Sequence, residues 1–141
     1  MEYAAAVIIA STGLALGSIL FHYEALRGIS YVLPALAIRP RQKILVVINL
    51  VLLAHLAEIA LYSAVFALFL KEDVRTAAGG HFFEQAIYIS CESFASLGTS
   101  AGFPTGPLRL LASSEALVGL ILIGWTTSYT FLAMRDMWGE H

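Results

Sequence analysis

The chain has 141 residues, of which 59% are hydrophobic and only 13% are charged. Soluble domains are about 45–50% apolar and about 25% charged, so this composition excludes both a soluble globule and a disordered chain. The formal net charge of −2 offers no basic surface to nucleic acid, and the single cysteine, Cys91, excludes an intrachain disulfide. A mean hydropathy of +0.80 predicts an all-α integral membrane protein, without room for a second large domain.

Three segments are apolar and long enough to cross a bilayer, whose hydrocarbon core of about 30 Å requires about 20 helical residues. They cover residues 3–21, 44–70 and 110–134. The first has no basic region before it and no small-residue cleavage site after it, so we predict a retained helix rather than a signal peptide. We therefore expect three transmembrane helices.

A fourth apolar segment, residues 81–96, is too short and too polar to span the membrane. Two glycines and a proline in the residues that follow it predict irregular backbone. Irregular backbone at membrane depth is tolerated only where protein buries it or where it lines an aqueous cavity. A short helix, a glycine-containing loop and a full span, in this order, are typical of a re-entrant pore loop.

The basic residues set the expected orientation, because cytoplasmic loops are enriched in Lys and Arg. Four of the eight basic residues lie between the first two spans: Arg27, Arg39, Arg41 and Lys43. This connection is predicted to be cytoplasmic, with the N-terminus outside and the C-terminus cytoplasmic. The predicted organisation is an N-terminal transmembrane helix with a cytoplasmic interfacial linker at 1–43, and a pore domain at 44–141.

Several stretches between residues 55 and 134 follow a channel pattern. They are HLAEI at 55–59, QAIYIS at 85–90, SLG at 96–98, RLLASSE at 109–115, Gly119, and GWT at 124–126. This part of the chain resembles the prokaryotic two-transmembrane pore-loop potassium channel family. The resemblance implies an outer helix at 44–70, a pore helix at 81–96, a filter at 96–104 and an inner helix at 110–134. It also implies a fourfold homotetramer in the bacterial inner membrane.

The resemblance further implies that K⁺ or Na⁺ is the permeant ion and that no other cofactor is needed. Residues 3–21 lie outside the two-helix core of that family and look like an added peripheral helix, which is free to contact a membrane partner.

The filter departs from the family signature T-x-G-Y-G-D. Residues 96–101 read SLGTSA, so Gly98 keeps the first glycine while Ser100, Thr99 and Ala101 replace the second glycine, the tyrosine and the aspartate. A second register, over residues 100–104, restores an aromatic residue but places Pro104 at the second glycine. Because such a filter depends on carbonyls aimed at the pore axis, we expect weak, altered or absent K⁺ selectivity. The candidate filter residues are Ser96, Leu97, Gly98, Thr99, Ser100, Ala101 and Gly102.

Ionisable residues within spans are costly and usually have a partner or a purpose. His55 and Glu58 are three positions apart and share one helix face. Together with Glu115 they are candidates for a metal or proton site, although Glu58 and Glu115 are expected at different depths. The alternative is hydrogen bonding between helices that orients the outer helix. A single His–Glu pair supplies few ligands, so no resident metal is predicted.

Four further residues have roles that the sequence leaves open. Glu92 is expected behind the filter, where Ala101 has replaced the aspartate with which it would pair in some potassium channels. It is therefore expected to be protonated, to accept hydrogen bonds from filter N–H groups, or to face a water-filled gap. Gly119 and Gly124 would serve either as a gating hinge or as close-packing positions. Cys91 is expected to be a buried apolar filler.

These observations together favour a tetrameric cation channel or channel-like pore. One alternative is a non-conducting pore-like scaffold that binds another membrane protein through residues 3–21. Another is a membrane metal-binding protein that uses His55, Glu58 and Glu115. The sequence has no Ser/His/Asp pattern, phosphate loop or H-E-x-x-H motif, so an enzyme is not predicted.

Overall fold

A computed structural model describes residues 2–70, 82–97 and 104–138. This part of the chain contains no strand, which confirms the all-α prediction. It forms helices α1 (Glu2–Val32), α2 (Pro40–Phe69), α3 (Phe82–Phe94) and α4 (Leu108–Trp138), with a 3₁₀ turn at Leu33–Ala35. Pro40 opens α2 at the first helical position, where its missing N–H costs no helical hydrogen bond.

Three of the helices are long and apolar enough to cross a membrane, as the sequence predicts. These spans are Glu2–Ala35, Pro40–Phe69 and Leu108–Asp136, and no more than 22% of the most apolar window of each is buried inside the chain. Large apolar side chains such as Ile9, Leu16 and Leu53 point outward and are 60–72% exposed. The long helices are therefore consistent with an integral membrane protein whose outer surface faces lipid.

The first helix is longer than the sequence predicts. The expected span ended at residue 21 and was followed by an interfacial linker, but α1 continues without a break to Val32. Glu24 and Arg27 do not interrupt it, because they are exposed, lie three positions apart and pair at 3.2 Å. The helix ends where Pro34 enters the 3₁₀ turn.

Helix α1, which the sequence predicts as an added peripheral helix, packs directly against two other long helices. It contacts both α2 and α4. Near one end of the bundle the Tyr3 hydroxyl donates to the Phe69 carbonyl at 3.2 Å, and near the other Ser30 and Tyr129 hydroxyls are 2.9 Å apart. The two contacts show that α1 runs antiparallel to α2 and parallel to α4.

Helix α3 packs between α2 and α4 and ends partway along them. Its 13 residues span about 20 Å, which is shorter than the hydrocarbon core. Ala86 packs with Tyr62 and Leu111 in a buried apolar core. At the other end of α3, the Phe94 carbonyl lies against Gly119. Gly119 is about 16 Å along α4, at a rise of about 1.5 Å per residue, so α3 stops about a third of the way along that helix.

Candidate functional site

Four polar side chains from the three long helices meet in the interior of the bundle. His22 comes from α1, His55 and Glu58 come from α2, and Thr126 comes from α4. The side chains of His22 and Glu58 are 0% and 1% exposed, and that of His55 is 14% exposed. We call these four residues the His–Glu cluster.

The Glu58 carboxylate bridges the two imidazoles. Its Oε1 lies 2.9 Å from His22 Nδ1, and its Oε2 lies 3.1 Å from His55 Nδ1. The geometry follows partly from the helix itself, since His55 and Glu58 at i and i+3 share one face of α2. His22 completes the arrangement from the neighbouring helix.

Thr126 closes the cluster from the opposite side. Its Oγ1 lies 3.1 Å from His22 Nε2 and 3.1 Å from His55 Nε2, so the four side chains form a ring of four polar contacts. Four hydrogen bonds require four hydrogens, of which Thr126 supplies one and two neutral imidazoles supply two. The fourth resides on Glu58 or on one imidazole. In either case the four side chains together carry no net charge, which suits a membrane interior.

Aromatic rings surround the His–Glu cluster. The two imidazoles stack with their centroids 5.1 Å apart, Trp125 lies 5.8 Å from His22, and Phe94 meets His55 edge-on at 5.3 Å. Phe94 is the last residue of α3. The cluster therefore lies directly beside the end of the short helix, at the level where α3 stops between the spans.

The cluster offers three ligand atoms to a metal ion. One atom each from His22, His55 and Glu58 lie within 4.8 Å of one another. The candidate set predicted from the sequence contained Glu115 instead of His22. Glu115 is absent from the group and lies instead beside Ser90 of α3.

His22 is missing from the predicted site because the predicted first span ends at residue 21, one position before it. The sequence contains no helix-breaking proline before Pro34, which indicates that the first helix continues that far. His22 is then an ionisable side chain within a long apolar helix, where such residues usually have a partner. Its partner on α2 lies 36 positions away, and spacing along the sequence carries no information about contacts between separate helices.

Glu115 and Ser90 form a second buried polar pair. Both are fully buried, and Ser90 Oγ lies 2.5 Å from Glu115 Oε1 and 2.9 Å from the Ile59 carbonyl oxygen. A serine hydroxyl has one hydrogen, and a carbonyl can only accept. Both contacts are hydrogen bonds only when Glu115 is protonated and donates one of them.

The expected filter begins at the C-terminus of α3. Ser96 has a φ of 57°, and the backbone bonds from Leu97 N to Glu92 O and from Ser96 N to Ser93 O form a Schellman motif. Ser96 and Leu97 therefore terminate the helix. The other candidate filter residues, Gly98, Thr99, Ser100, Ala101 and Gly102, lie outside the described residues.

Glu92 is buried and interacts with the Tyr88 side chain.

Three other expectations concern small residues. A Cβ at Gly119 would overlap the Phe94 carbonyl, so this glycine is required for the packing of α3 on α4. A Cβ at Gly124 would meet no atom of the described chain within 4 Å. Cys91 is exposed rather than buried, which corrects the expectation of an apolar filler, because it lies on the face of α3 turned away from α2 and α4.

Comparison with known proteins finds no matching family model, no matching curated protein and no matching solved structure. The resemblance to potassium channels therefore stays a prediction from the sequence.

Proposed function

We propose that this chain is one subunit of an oligomeric cation pore in a membrane, with the segment after α3 lining the ion path. The observation that carries the proposal is the contact of the Phe94 carbonyl with Gly119. This contact supports the interpretation of α3 as a re-entrant helix, because the short helix ends about a third of the way along a long one.

The backbone after α3 needs a covering that one chain does not provide. Ala95, Ser96 and Leu97 are non-helical and exposed, and the Leu97 side chain is 61% exposed. Exposed irregular backbone at membrane depth is tolerated only where protein buries it or where it lines water. Further copies of the chain around an aqueous axis would meet both conditions, and the sequence resemblance favours four copies.

A cation is the favoured permeant ion because the C-terminal end of a helix carries partial negative charge. The end of α3 would direct this charge toward the axis. The hydroxyls of Ser96, Thr99 and Ser100 supply neutral oxygen ligands close to it in the sequence. With one glycine of the signature replaced and the tyrosine absent, K⁺ or Na⁺ would pass with weak discrimination between them.

The test is cation flux into liposomes that contain the purified protein, combined with cysteine modification. Cys91 is exposed and is the only cysteine of the chain, so it is first replaced by serine. Leu97→Cys is then introduced and treated with a thiol-reactive cation, which is expected to abolish flux. The matched control is Leu16→Cys on α1, a position that is 65% exposed and expected to face lipid. Its modification should leave flux unchanged.

The oligomeric state decides how a negative flux result is read. Flux that is lost on modification of Leu97→Cys but retained with Leu16→Cys supports the pore. A confirmed tetramer without flux would replace the pore with a non-conducting scaffold, whose partner would contact residues 3–21. A monomer or dimer without flux would overturn the pore, since one pore loop cannot enclose an axis, and a dimer would favour the scaffold.

A further inference from the structure

We propose that His22, His55 and Glu58 bind a divalent transition-metal ion of the Zn²⁺ class between the three long helices. The proposal is independent of ion conduction, because it depends only on the His–Glu cluster. It differs from the sequence-based candidate by replacing Glu115 with His22, the residue that α1 brings to the cluster.

The ligand types select the class of metal. Two imidazole nitrogens and one carboxylate suit Zn²⁺, Co²⁺ or Ni²⁺, whereas Mg²⁺ and Ca²⁺ prefer oxygen ligands throughout. Three protein ligands with a fourth position open are also a common arrangement around zinc. The burial of His22 and Glu58, at 0% and 1% exposure, would shield the ion from exchange with water.

The ligand atoms would have to close around an ion as it enters. The ligand atoms lie within 4.8 Å of one another, and each Nδ1 is 2.9 or 3.1 Å from an oxygen of Glu58. A tetrahedral zinc with bonds of about 2.0–2.1 Å holds its ligand atoms about 3.3 Å apart. The ion would thus take the place of the hydrogens between the imidazoles and the carboxylate.

Thr126 is placed to orient both histidine ligands. A metal-bound histidine usually donates its second ring N–H to a neighbouring acceptor, which fixes the tautomer and the ring orientation. With the ion on both Nδ1 atoms, both Nε2 atoms carry hydrogen and face Thr126 Oγ1 at 3.1 Å. A hydroxyl oxygen has two acceptor positions, so one threonine satisfies both rings.

A bound ion would also tie α1 to the rest of the bundle. Two of the three ligands come from α2, the third comes from α1, and the positioning hydroxyl comes from α4. The site touches Phe94 at the end of α3 through the His55 ring. Occupancy would therefore increase the stability of the helix arrangement next to the segment that follows α3.

The test uses the full chain, with its affinity tag removed, and Co²⁺ and Zn²⁺ as probes. His81 and His141 are changed to Gln in all samples, because they are the other two histidines of the sequence and could bind metal adventitiously. We expect one ion per chain by elemental analysis, intense visible absorption bands of tetrahedral Co²⁺, and a higher thermal midpoint with Zn²⁺.

Ligand variants locate the ion. His22→Gln, His55→Gln and Glu58→Gln are each expected to abolish the Co²⁺ bands, and Thr126→Val is expected to weaken affinity by about 10–100-fold. Glu115→Gln is the matched control, since Glu115 is an equally buried carboxyl outside the cluster, and it should bind as the parent does.

Two results would overturn the proposal. The first is the absence of tetrahedral Co²⁺ bands from the folded parent protein, which would leave the cluster as hydrogen bonding between helices. The second is full metal occupancy in a folded His22→Gln variant. The parent spectrum alone tests the proposal if a ligand variant fails to fold.

Discussion

The backbone carbonyl of Phe94 and the Cα of Gly119 are in such close contact that no side chain fits between α3 and α4 at this point. The obstacle is a main-chain oxygen, which cannot rotate away as the tip of a flexible side chain can. This contact holds the end of α3 against α4, and the side chain of the same Phe94 meets the ring of His55 edge-on. The depth of the short helix is therefore coupled to the His–Glu cluster.

Replacing Gly119 with Ala should destabilise the protein by about 1–3 kcal/mol, the usual cost of forcing extra atoms into a packed interface. Gly124→Ala is the matched control on the same helix, because a Cβ there meets no described atom within 4 Å. It should be neutral or stabilising by up to about 1 kcal/mol through helix propensity. Unfolding in mixed micelles measures both, and equal effects would contradict a packing role for Gly119.

Ser96 holds a left-handed conformation at the end of α3, with a φ of 57°. Left-handed backbone costs a residue with a Cβ about 1–2 kcal/mol, whereas glycine adopts it freely. Ser96→Gly should therefore stabilise the folded protein by about 1 kcal/mol. Ser96→Ala retains the Cβ and should bring no such gain. The comparison is made by thermal unfolding, and a loss of stability in Ser96→Gly would show that the serine hydroxyl matters more than the backbone.

Glu115 should carry a proton at neutral pH. Ser90 Oγ contacts both Glu115 and the Ile59 carbonyl with one hydrogen, and Glu115 Oε2 is buried without a hydrogen-bond partner in the described chain. An ionised carboxylate there would leave strong acceptors unmatched. Infrared difference spectra between the parent and Glu115→Gln should show the loss of a protonated carboxyl band. A lost carboxylate band instead would contradict the assignment.

Substitutions in the Glu115–Ser90 pair should affect stability unequally, as measured by unfolding in mixed micelles. Glu115→Gln keeps a donor and an acceptor and should change the free energy of unfolding by less than about 1 kcal/mol. Ser90→Ala should cost about 1–3 kcal/mol, because it removes the partner of a buried polar group.

Much of the helical layout follows from the sequence, because lipid imposes a minimum apolar length on every span. The three spans and the short segment 81–96 correspond to α1, α2, α4 and α3. The ends of the helices are less predictable. Charged residues after residue 21 predict an end to the first span, yet Glu24 and Arg27 pair on an exposed helix face and the helix continues.

The cluster was only partly predictable for a different physical reason. His55 and Glu58 share one face of one helix, so their spacing alone brings them together. His22 and Thr126 join them through packing between helices, whose rotation and register depend on many apolar contacts at once. Glu115 was grouped with His55 and Glu58 by chemical type, but its own helix places it against Ser90.

Thr126 should stabilise the metal-free protein through its hydroxyl rather than its methyl group. The hydroxyl contacts Nε2 of both imidazoles, so its removal leaves buried nitrogen atoms without a partner, at a cost of about 1–3 kcal/mol. Thr126→Val, which keeps the shape and removes the hydroxyl, should lose this amount. Thr126→Ser, which keeps the hydroxyl, should lose less.

The adjacent Thr127 provides the control for this comparison. Its hydroxyl is exposed and donates to the Ile123 carbonyl of its own helix at 2.8 Å, so Thr127→Val should change stability by less than about 0.5 kcal/mol. Unfolding is measured in mixed micelles with a metal chelator present, which separates hydrogen bonding from metal binding. A Thr126→Val variant as stable as Thr127→Val would mean that the imidazoles find other partners, and the ring of four contacts would then not hold the three helices together.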